Sequence, residues 1–336
     1  MKRCKKCILN ENFPGIEFDE DGVCNFCREE QESEVSDLAN EYEDKFLNLI
    51  DRFKGKNTYD CIAAFSGGKD SSYTLYLLKE KYKLNILAFN YDNWYQSKFA
   101  QKNIKQIVKK LDIDLINFLP RANVYKKILK TVINNNFYSL KSIQRASDIC
   151  TTCISIIRFA CLKIALEKEI PFVIFGMSPG QSPISTSIFK TNPLILKSMQ
   201  GIVLKPLREK LGSQVDSFFL TEKYFNQSFY PYIINPLSFS SYNKNKIYAI
   251  IKKFGWQEPD DTDPNSTNCL LNSLANQIHI DKYGFNPYAY ELSTLIRKGY
   301  MTRQEALEKI QKGQSENLVD KLRTDLNILK ESVTHQ

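Results

Sequence analysis

The sequence predicts an α/β protein on a doubly wound parallel sheet, with a four-cysteine zinc module at the N-terminus and a mainly helical C-terminal region. Three observations carry this expectation. Short apolar runs alternate with longer amphipathic stretches through the middle of the chain, the order that βαβ units impose. The first run, residues 62–65, is apolar at every position, as a strand covered on both faces requires. That run ends in a Gly-rich turn directly before a helical pattern, which is where α/β folds place phosphate.

Residues 1–30 hold two cysteine pairs and the turns Pro14-Gly15 and Asp21-Gly22, with too few large apolar residues to build a core unaided. From about 32 to 53, Leu38, Tyr42, Phe46, Leu49, Ile50 and Phe53 recur on one face of an amphipathic helix. Strands are expected at 61–65, 85–90, 115–119 and 172–175, and helices at 71–83, 99–111, 125–135 and 153–168. After Gly176 the pattern loosens into a Ser/Thr-rich loop of the kind that lies beside an active site. A partly helical stretch rich in Tyr and Phe continues to Trp256. Beyond Pro264 the spacing predicts a helix at 270–279, a helix pair ending near Ile310 and a frayed polar helix through Gln336. The chain therefore divides into a zinc-binding module (1–30), a linking helix (31–57), an α/β nucleotide domain (58–255) and a helical region (256–336).

With 336 residues, 43% hydrophobic and 25% charged, the chain has the composition of a globular protein. The net charge of +8 comes mostly from scattered lysines, a weak pointer to nucleic acid. No run approaches the roughly 20 uninterrupted apolar residues of a membrane helix, so no membrane insertion and a cytoplasmic location are expected. In that compartment the nine cysteines read as ligands, catalysts or core residues rather than disulfides.

Ser66-Gly67-Gly68-Lys69-Asp70-Ser71-Ser72 gathers backbone N–H groups and a helix N-terminus at one point, which is an anion site. Gly67 and Gly68 lack a Cβ and let phosphate oxygens approach the backbone. Lys69 adds a positive charge, Ser66 and Ser71 add hydroxyl donors, and Asp70 offers an oxygen to Mg²⁺. The ordinary nucleotide P-loop needs Gly and Ser/Thr where Ala63 and Asp70 stand here; this is a loop of another type.

Cys4-x-x-Cys7 and Cys24-x-x-Cys27 have the spacing of a closed, structural Zn²⁺ site. Cys150-x-x-Cys153 precedes an apolar helix and Cys269 stands alone further on. Three thiolates suit a 4Fe–4S cluster with one open iron. A redox or persulfide pair at a helix N-terminus, or ordinary buried thiols, fit the same spacing. His279, in the predicted helix after Cys269, reads as a structural imidazole, and near-terminal His335 leaves a His-based triad without support.

Residues 66–72 resemble the SGGKDS motif of the PP-loop ATP pyrophosphatases. The resemblance implies an adenine nucleotide alpha hydrolase-like fold in which ATP transfers AMP to a carbonyl or amide oxygen. Ser66, Gly67, Gly68, Lys69, Asp70, Ser71 and Ser72 would then cradle the leaving pyrophosphate, Lys69 and Asp70 as catalytic groups and Asp70 with Mg²⁺, while Gly176 lines the nucleotide edge. Both ends are similar to bacterial N-acetyl sugar amidotransferases: Cys4 to Cys27 with Gly15-Ile16, Phe18-Asp19-Glu20 and Gly22-Val23 between, then Gly255-Trp256, Tyr283-Gly284-Phe285 and Met301-Thr302-Arg303. That likeness implies nitrogen insertion into a sugar or sugar-nucleotide acceptor of surface-polysaccharide biosynthesis, with a glutaminase subunit supplying ammonia. Cys150, Cys153 and Cys269 instead look like the iron–sulfur tRNA thiolation branch, which implies sulfur insertion into tRNA or another acceptor with these cysteines as catalytic or 4Fe–4S ligands. A non-catalytic nucleotide-binding module with a zinc knob is the remaining expectation.

Overall fold

Apolar runs from the middle of the chain pair edge to edge in the computed structural model, which describes residues 1–29, 35–312 and 315–328. Among these residues six strands form one sheet: β1 (Cys61–Ala64), β2 (Ile86–Tyr91), β3 (Asp114–Phe118), β4 (Phe172–Ile174), β5 (Ile188–Lys190) and β6 (Tyr232–Ile234). Their order is β3-β2-β1-β4-β6-β5, and every neighbouring pair is parallel except β5 with β6. The chain moves outward from β1 through β2 to β3, then returns to lay β4 on the other side of β1. That reversal opens a crevice at the carboxyl ends of β1 and β4, where open α/β sheets bind ligands. The sequence expectation missed β5 and β6, because three residues within a polar loop carry no readable period.

Along the chain, α1 (Asn25–Glu29) closes the N-terminal cysteine module, and α2 (Val35–Phe53) packs Phe46 and Ile50 against the sheet. The Phe46 ring meets Phe172 of β4 edge-on at 5.9 Å. The predicted helix at 71–83 is shorter and starts earlier: α3 (Lys69–Tyr76) runs into a wider π turn at Leu77–Lys81. Then come α4 (Lys98–Leu111), capped by the Ser97 hydroxyl, α5 (Ala122–Ile133) and α6 (Leu140–Ile143).

α7 (Asp148–Glu167) begins five residues before the predicted 153, which puts Cys150 and Cys153 inside its first two turns rather than ahead of it. By length and composition alone α7 could cross a membrane, with a mean hydropathy of 1.9, a property missed when only uninterrupted apolar runs are sought. Its Ile156, Phe159 and Leu162 are buried in the core against β1, β4 and α5, and half of its apolar window is buried inside the fold.

α8 (Pro193–Leu211) and α9 (Lys244–Lys253) follow, then α10 (Leu271–Tyr283), α11 (Ala289–Arg297), α12 (Arg303–Gln311) and α13 (Glu316–Leu326). α13 is not the frayed helix the sequence predicts. Val319, Leu322 and Leu326, spaced three and four apart, are buried against α10 and α5, and Asp325 accepts hydrogen bonds from Tyr95 and Lys126 at 2.5 and 2.7 Å. Residues 329–336, His335 among them, lie outside the described residues.

The N-terminal module rests on α11 and α12. Phe13 packs edge-on to Phe285 at 5.2 Å and parallel to Tyr290 at 5.9 Å, and Ile8 is buried against Leu292 and Leu295. Arg303 donates to the carbonyls of Cys7 and Cys4 at 3.0 and 3.1 Å. The first residues of the chain are thus fixed by its last helices.

His279 is 1% exposed and lies between the rings of Tyr283 and Phe285 at 4.8 and 4.7 Å. Burial, with help from Lys282, lowers its pKa to about 3. The folded value lies below the unfolded 6.5, so the unfolded chain binds the extra proton first; stability is full above pH 6.5 and falls as pH drops. Acidification from pH 7 to pH 5 is therefore expected to remove about 2 kcal/mol through this residue. Urea unfolding at both pH values checks this, and His279→Leu should flatten that part of the slope.

Candidate nucleotide and thiol site

The turn after β1 sits at the switch point of the sheet, with Gly68 capping α3 and Lys69 as the first helical residue. Gly67 has φ +75°, and a Cβ there would stand 2.4 Å from the Ala100 carbonyl oxygen; only glycine meets both demands. The Gly67 carbonyl accepts hydrogen bonds from Trp256 Nε1 at 3.0 Å and Asn103 Nδ2 at 3.3 Å, so its orientation is set by buried partners. Ser71 Oγ accepts from the Ser66 N–H at 3.3 Å and donates to the Gly68 carbonyl at 3.1 Å. These bonds hold the turn in one shape at the N-terminus of α3, the arrangement that binds anions.

Lys69 Nζ is paired with Asp70 Oδ1 and donates to Tyr242 Oη at 2.7 Å, while Tyr242 Oη donates to the same Asp70 oxygen at 2.9 Å. Burial, and then Asp70, hold the Tyr242 phenol well above its usual pKa, so it stays a proton donor. Both contacts on Asp70 are to Oδ1. A carboxylate beside a phosphate loop is a donor that Mg²⁺ uses when substrate phosphates and water complete its shell; Asp70 would hold the ion there. Ser72 differs from expectation: it is 1% exposed and its N–H serves the Gly68 carbonyl, so its side chain belongs to the packed face of α3.

Gly176 follows β4 and is pressed onto α3; a Cβ would lie 2.7 Å from Thr74 Oγ1 and 2.9 Å from Ser71 Cα. Two residues on, Ser178 Oγ donates to Glu291 Oε1 at 2.7 Å. Burial raises the Glu291 pKa, Ser178 opposes this, and Asp70 raises it further. The loop after β4 and α11 thus meet beside Lys69 and Asp70.

The segment before α10 closes the other side. Thr267 Oγ1 accepts from the Lys69 N–H at 3.0 Å, and Asn268 Oδ1 would lie 3.3 Å from a Gly68 Cβ. The next residue is Cys269. Its backbone bridges to Gln96, and its thiol accepts from Asn93 Nδ2 at 3.2 Å. Cys150 lies by Asn272 Nδ2 at 3.8 Å and Cys153 by the Tyr125 hydroxyl at 2.8 Å. Each of these two feels the charge of Cys269, so the three thiols share one neighbourhood. Burial pushes the Cys150 thiol up to about 11, against a hydrogen bond from Ser147, and pushes Cys153 and Cys269 up as well. Among the described residues these three do not converge as tightly as the N-terminal set does. Two amide donors, at Cys150 and Cys269, and the Tyr125 hydroxyl at Cys153 surround thiols that could serve as three ligands of a cluster.

Cys4, Cys7, Cys24 and Cys27 place their sulfurs within 4.8 Å of one another, with Cys4 to Cys27 at 4.0 Å and Cys7 to Cys24 at 3.7 Å. Tetrahedral Zn–S bonds of about 2.3 Å put sulfurs about 3.8 Å apart. The N–H groups of Cys7 and Cys24 point to Cys4 Sγ at 3.4 and 3.3 Å. The residues fit Zn²⁺, and four protein ligands leave no open coordination position.

Tyr242, Thr267 and Glu291 were not singled out from the sequence. Trp256 was, but without its role of holding Gly67. Their only local signal is the run of polar and aromatic residues after β6.

Residues 239–334, which supply Tyr242, Trp256, Thr267, Cys269 and Glu291, match the family model of the LPS biosynthesis protein WbpG-like C-terminal domain. An uncharacterized protein of Methanocaldococcus jannaschii is 26% identical over 277 residues, covering 82% of this chain and 79% of that protein. Similar solved structures include the U34-tRNA thiolase NcsA of Methanococcus maripaludis with its 4Fe–4S cluster, at 16% identity and TM-score 0.37, covering 98% of this chain and 90% of that one. The NH3-dependent NAD synthetase of Campylobacter jejuni, in complex with nitrate, gives 14% identity, TM-score 0.37 and coverage of 87% and 92%. NMN synthetase of Francisella tularensis gives 12%, 0.35 and coverage of 88% and 96%.

Proposed function

We propose that this protein is an ATP-dependent enzyme that adenylates a carbonyl or amide oxygen of an acceptor, releases pyrophosphate, and lets nitrogen replace the oxygen. The observation that carries this is the turn at 66–71. Its positive-φ glycine, its internally satisfied carbonyl and its helix N-terminus sit at the sheet's switch point with Lys69 and Asp70 attached. An amide oxygen is a poor leaving group until adenylated; such a turn stabilises the charge that builds on the departing pyrophosphate. The LPS-biosynthesis match over 239–334 supports a saccharide acceptor, and an acetamido sugar or sugar nucleotide offers the amide oxygen that this chemistry needs.

ATP, Mg²⁺, ammonium and a panel of UDP-N-acetyl sugars, followed by nucleotide and pyrophosphate analysis, test the reading. AMP and pyrophosphate in equal amounts are the expected products; ADP and phosphate would sink the reading, and no turnover with any acceptor would sink it and leave a nucleotide-binding module.

One observation favours a second reading. Thr267 touches the loop and Cys269, two residues on, joins Cys150 and Cys153, which sets a thiol group beside the activation site and suits sulfur insertion, into tRNA or a small acceptor. Under it, protein purified without oxygen carries iron and labile sulfide, and Cys269→Ser loses both along with product. Under nitrogen insertion, Cys269→Ser leaves pyrophosphate release unchanged.

A further inference from the structure

The loop after β4 and the start of α11 meet at Glu291, a carboxylate to which the ATP loop gives no role. Ser178 Oγ donates to Glu291 Oε1 at 2.7 Å. Gly180 is pressed on the same residue: a Cβ there would stand 2.5 Å from the Glu291 carbonyl oxygen and 2.9 Å from its Cγ. Two segments therefore hold this side chain in one place, and glycine at 180 leaves it the room. Its bonding partners are neutral, the Ser178 hydroxyl and the Gln181 amide. The nearby cations are engaged elsewhere, Lys69 by Asp70 and Lys309 by the Pro264 carbonyl. A carboxylate held by a hydroxyl and an amide, rather than by a cation, keeps more of its affinity for a proton. Burial adds to this.

Its position says which proton it serves. Lys69 and Asp70 of α3, Tyr242 ahead of α9 and Lys309 of α12 all interact with its charge. Tyr288 stands three residues before it, and residues three apart on a helical turn share one side. The Tyr288 hydroxyl accepts from Asn272 Nδ2 at 2.8 Å, and the same Nδ2 lies 3.8 Å from Cys150 Sγ. The start of α11 thus spans the ground between the ATP loop and the thiols, with Glu291 on the ATP side. An acceptor carbon whose oxygen takes AMP at that loop lies beside it.

We propose that Glu291 is the general base of the nitrogen step, taking one proton from the ammonia nitrogen as that nitrogen bonds to the adenylated carbon. The role rests on the nitrogen-insertion reading above. The electron pair of ammonia forms the C–N bond, and the C=N electrons of the adenylated amide move onto its own nitrogen. The new nitrogen is then cationic, and in that state it leaves more readily than AMP. Transfer of one of its protons to Glu291 makes it a neutral amine. The C–O bond now breaks, AMP departs with its electron pair, and a nitrogen lone pair closes the C=N bond of an amidinium. Glu291 returns its proton to water, and nothing is oxidised or reduced.

The test separates the two halves of the reaction on the full, zinc-loaded chain with ATP, Mg²⁺ and the UDP-N-acetyl sugars. Exchange of labelled pyrophosphate into ATP without ammonium reads adenylation, and amidine formation with ammonium reads the nitrogen step. Glu291→Gln keeps the shape and an acceptor for Ser178; it should slow amidine formation about a hundredfold while exchange changes far less. Gly180→Ala, which displaces the carboxylate, should shift the two readouts in the same sense. In Glu291→Ala, added formate should restore amidine formation in proportion to its concentration, which a merely structural role would not allow. Equal amidine formation in Glu291→Gln and wild type, loss of both readouts in proportion, or no rescue by formate overturns the proposal and leaves the ATP reading standing. Wild type that gives neither exchange nor AMP removes the ATP reading and this role with it.

Discussion

Replacing Asp70 with Asn is expected to lower kcat/KM for pyrophosphate release by about a hundredfold or more while leaving the fold intact. Asp70 follows directly on Lys69 at the N-terminus of α3, and its Oδ1 holds both Lys69 Nζ and the Tyr242 hydroxyl. Asn keeps the shape and an acceptor for Tyr242 but removes the negative charge. That deletes the proposed Mg²⁺ ligand and leaves Lys69 uncompensated beside the phosphates. Changes to groups that only support a metal ligand already cost about 10–100-fold, so loss of the ligand should cost at least the upper figure. The side chain of Asp70 is 27% exposed, so its Coulomb energy with Lys69 is screened and the melting temperature should move little. Tyr242→Phe provides the comparison, with a loss of about tenfold from one hydrogen bond to a charged group. Steady-state pyrophosphate assays across Mg²⁺ concentrations check both. Equal rates for Asp70→Asn and wild type would remove Asp70 from the chemistry.

Loss of one N-terminal thiolate should have the largest effect on stability. Cys4, Cys7 and Cys24 are fully buried, yet the cluster around them draws only Leu9 and Phe13 from the module as large buried residues, packed with Phe285. Zn²⁺ contributes about 10–16 kcal/mol to the folding of isolated zinc-finger peptides. Here part of the module is also held by Arg303 and by Ile8 on α11, so Cys7→Ser is expected to lower the melting temperature by about 10 °C. The wild-type protein should contain one zinc per chain by elemental analysis, and a strong chelator should reproduce the shift. Zinc-free protein that melts as the wild type does would refute the assignment.

The features legible in the sequence are those whose residues are neighbours along the chain. The β1 run, the Gly-rich turn and the start of α3 are contiguous, and each cysteine pair spans one short turn, so residue type and spacing suffice. The periodic face of α2 was visible for the same reason, since Phe46 and Ile50 lie one turn apart. β5, β6 and α13 were not: strands of three residues have no period to read, and a mostly polar helix shows its buried side only once α10 and α5 lie against it. The start of α7 was hidden because Ser147 caps it with a hydroxyl bond to the Cys150 N–H, a contact that only the folded turn presents.

The site divides in the same way. Local sequence determined that a Gly-rich turn leads into a helix at 66–71 and that four thiols can enclose one ion, because backbone conformation and short spacing decide both. Tertiary structure decided what stands around them. Tyr242 reaches Lys69 from 173 residues away and Thr267 from 198, and Arg145 joins Tyr290 only through the packing of the cysteine module on α11. It also decided that Cys269 comes into the neighbourhood of Cys150 and Cys153, whose thiols burial pushes up. Such contacts depend on how remote surfaces fill space together, and desolvation depends on the whole enclosure rather than on any one neighbour.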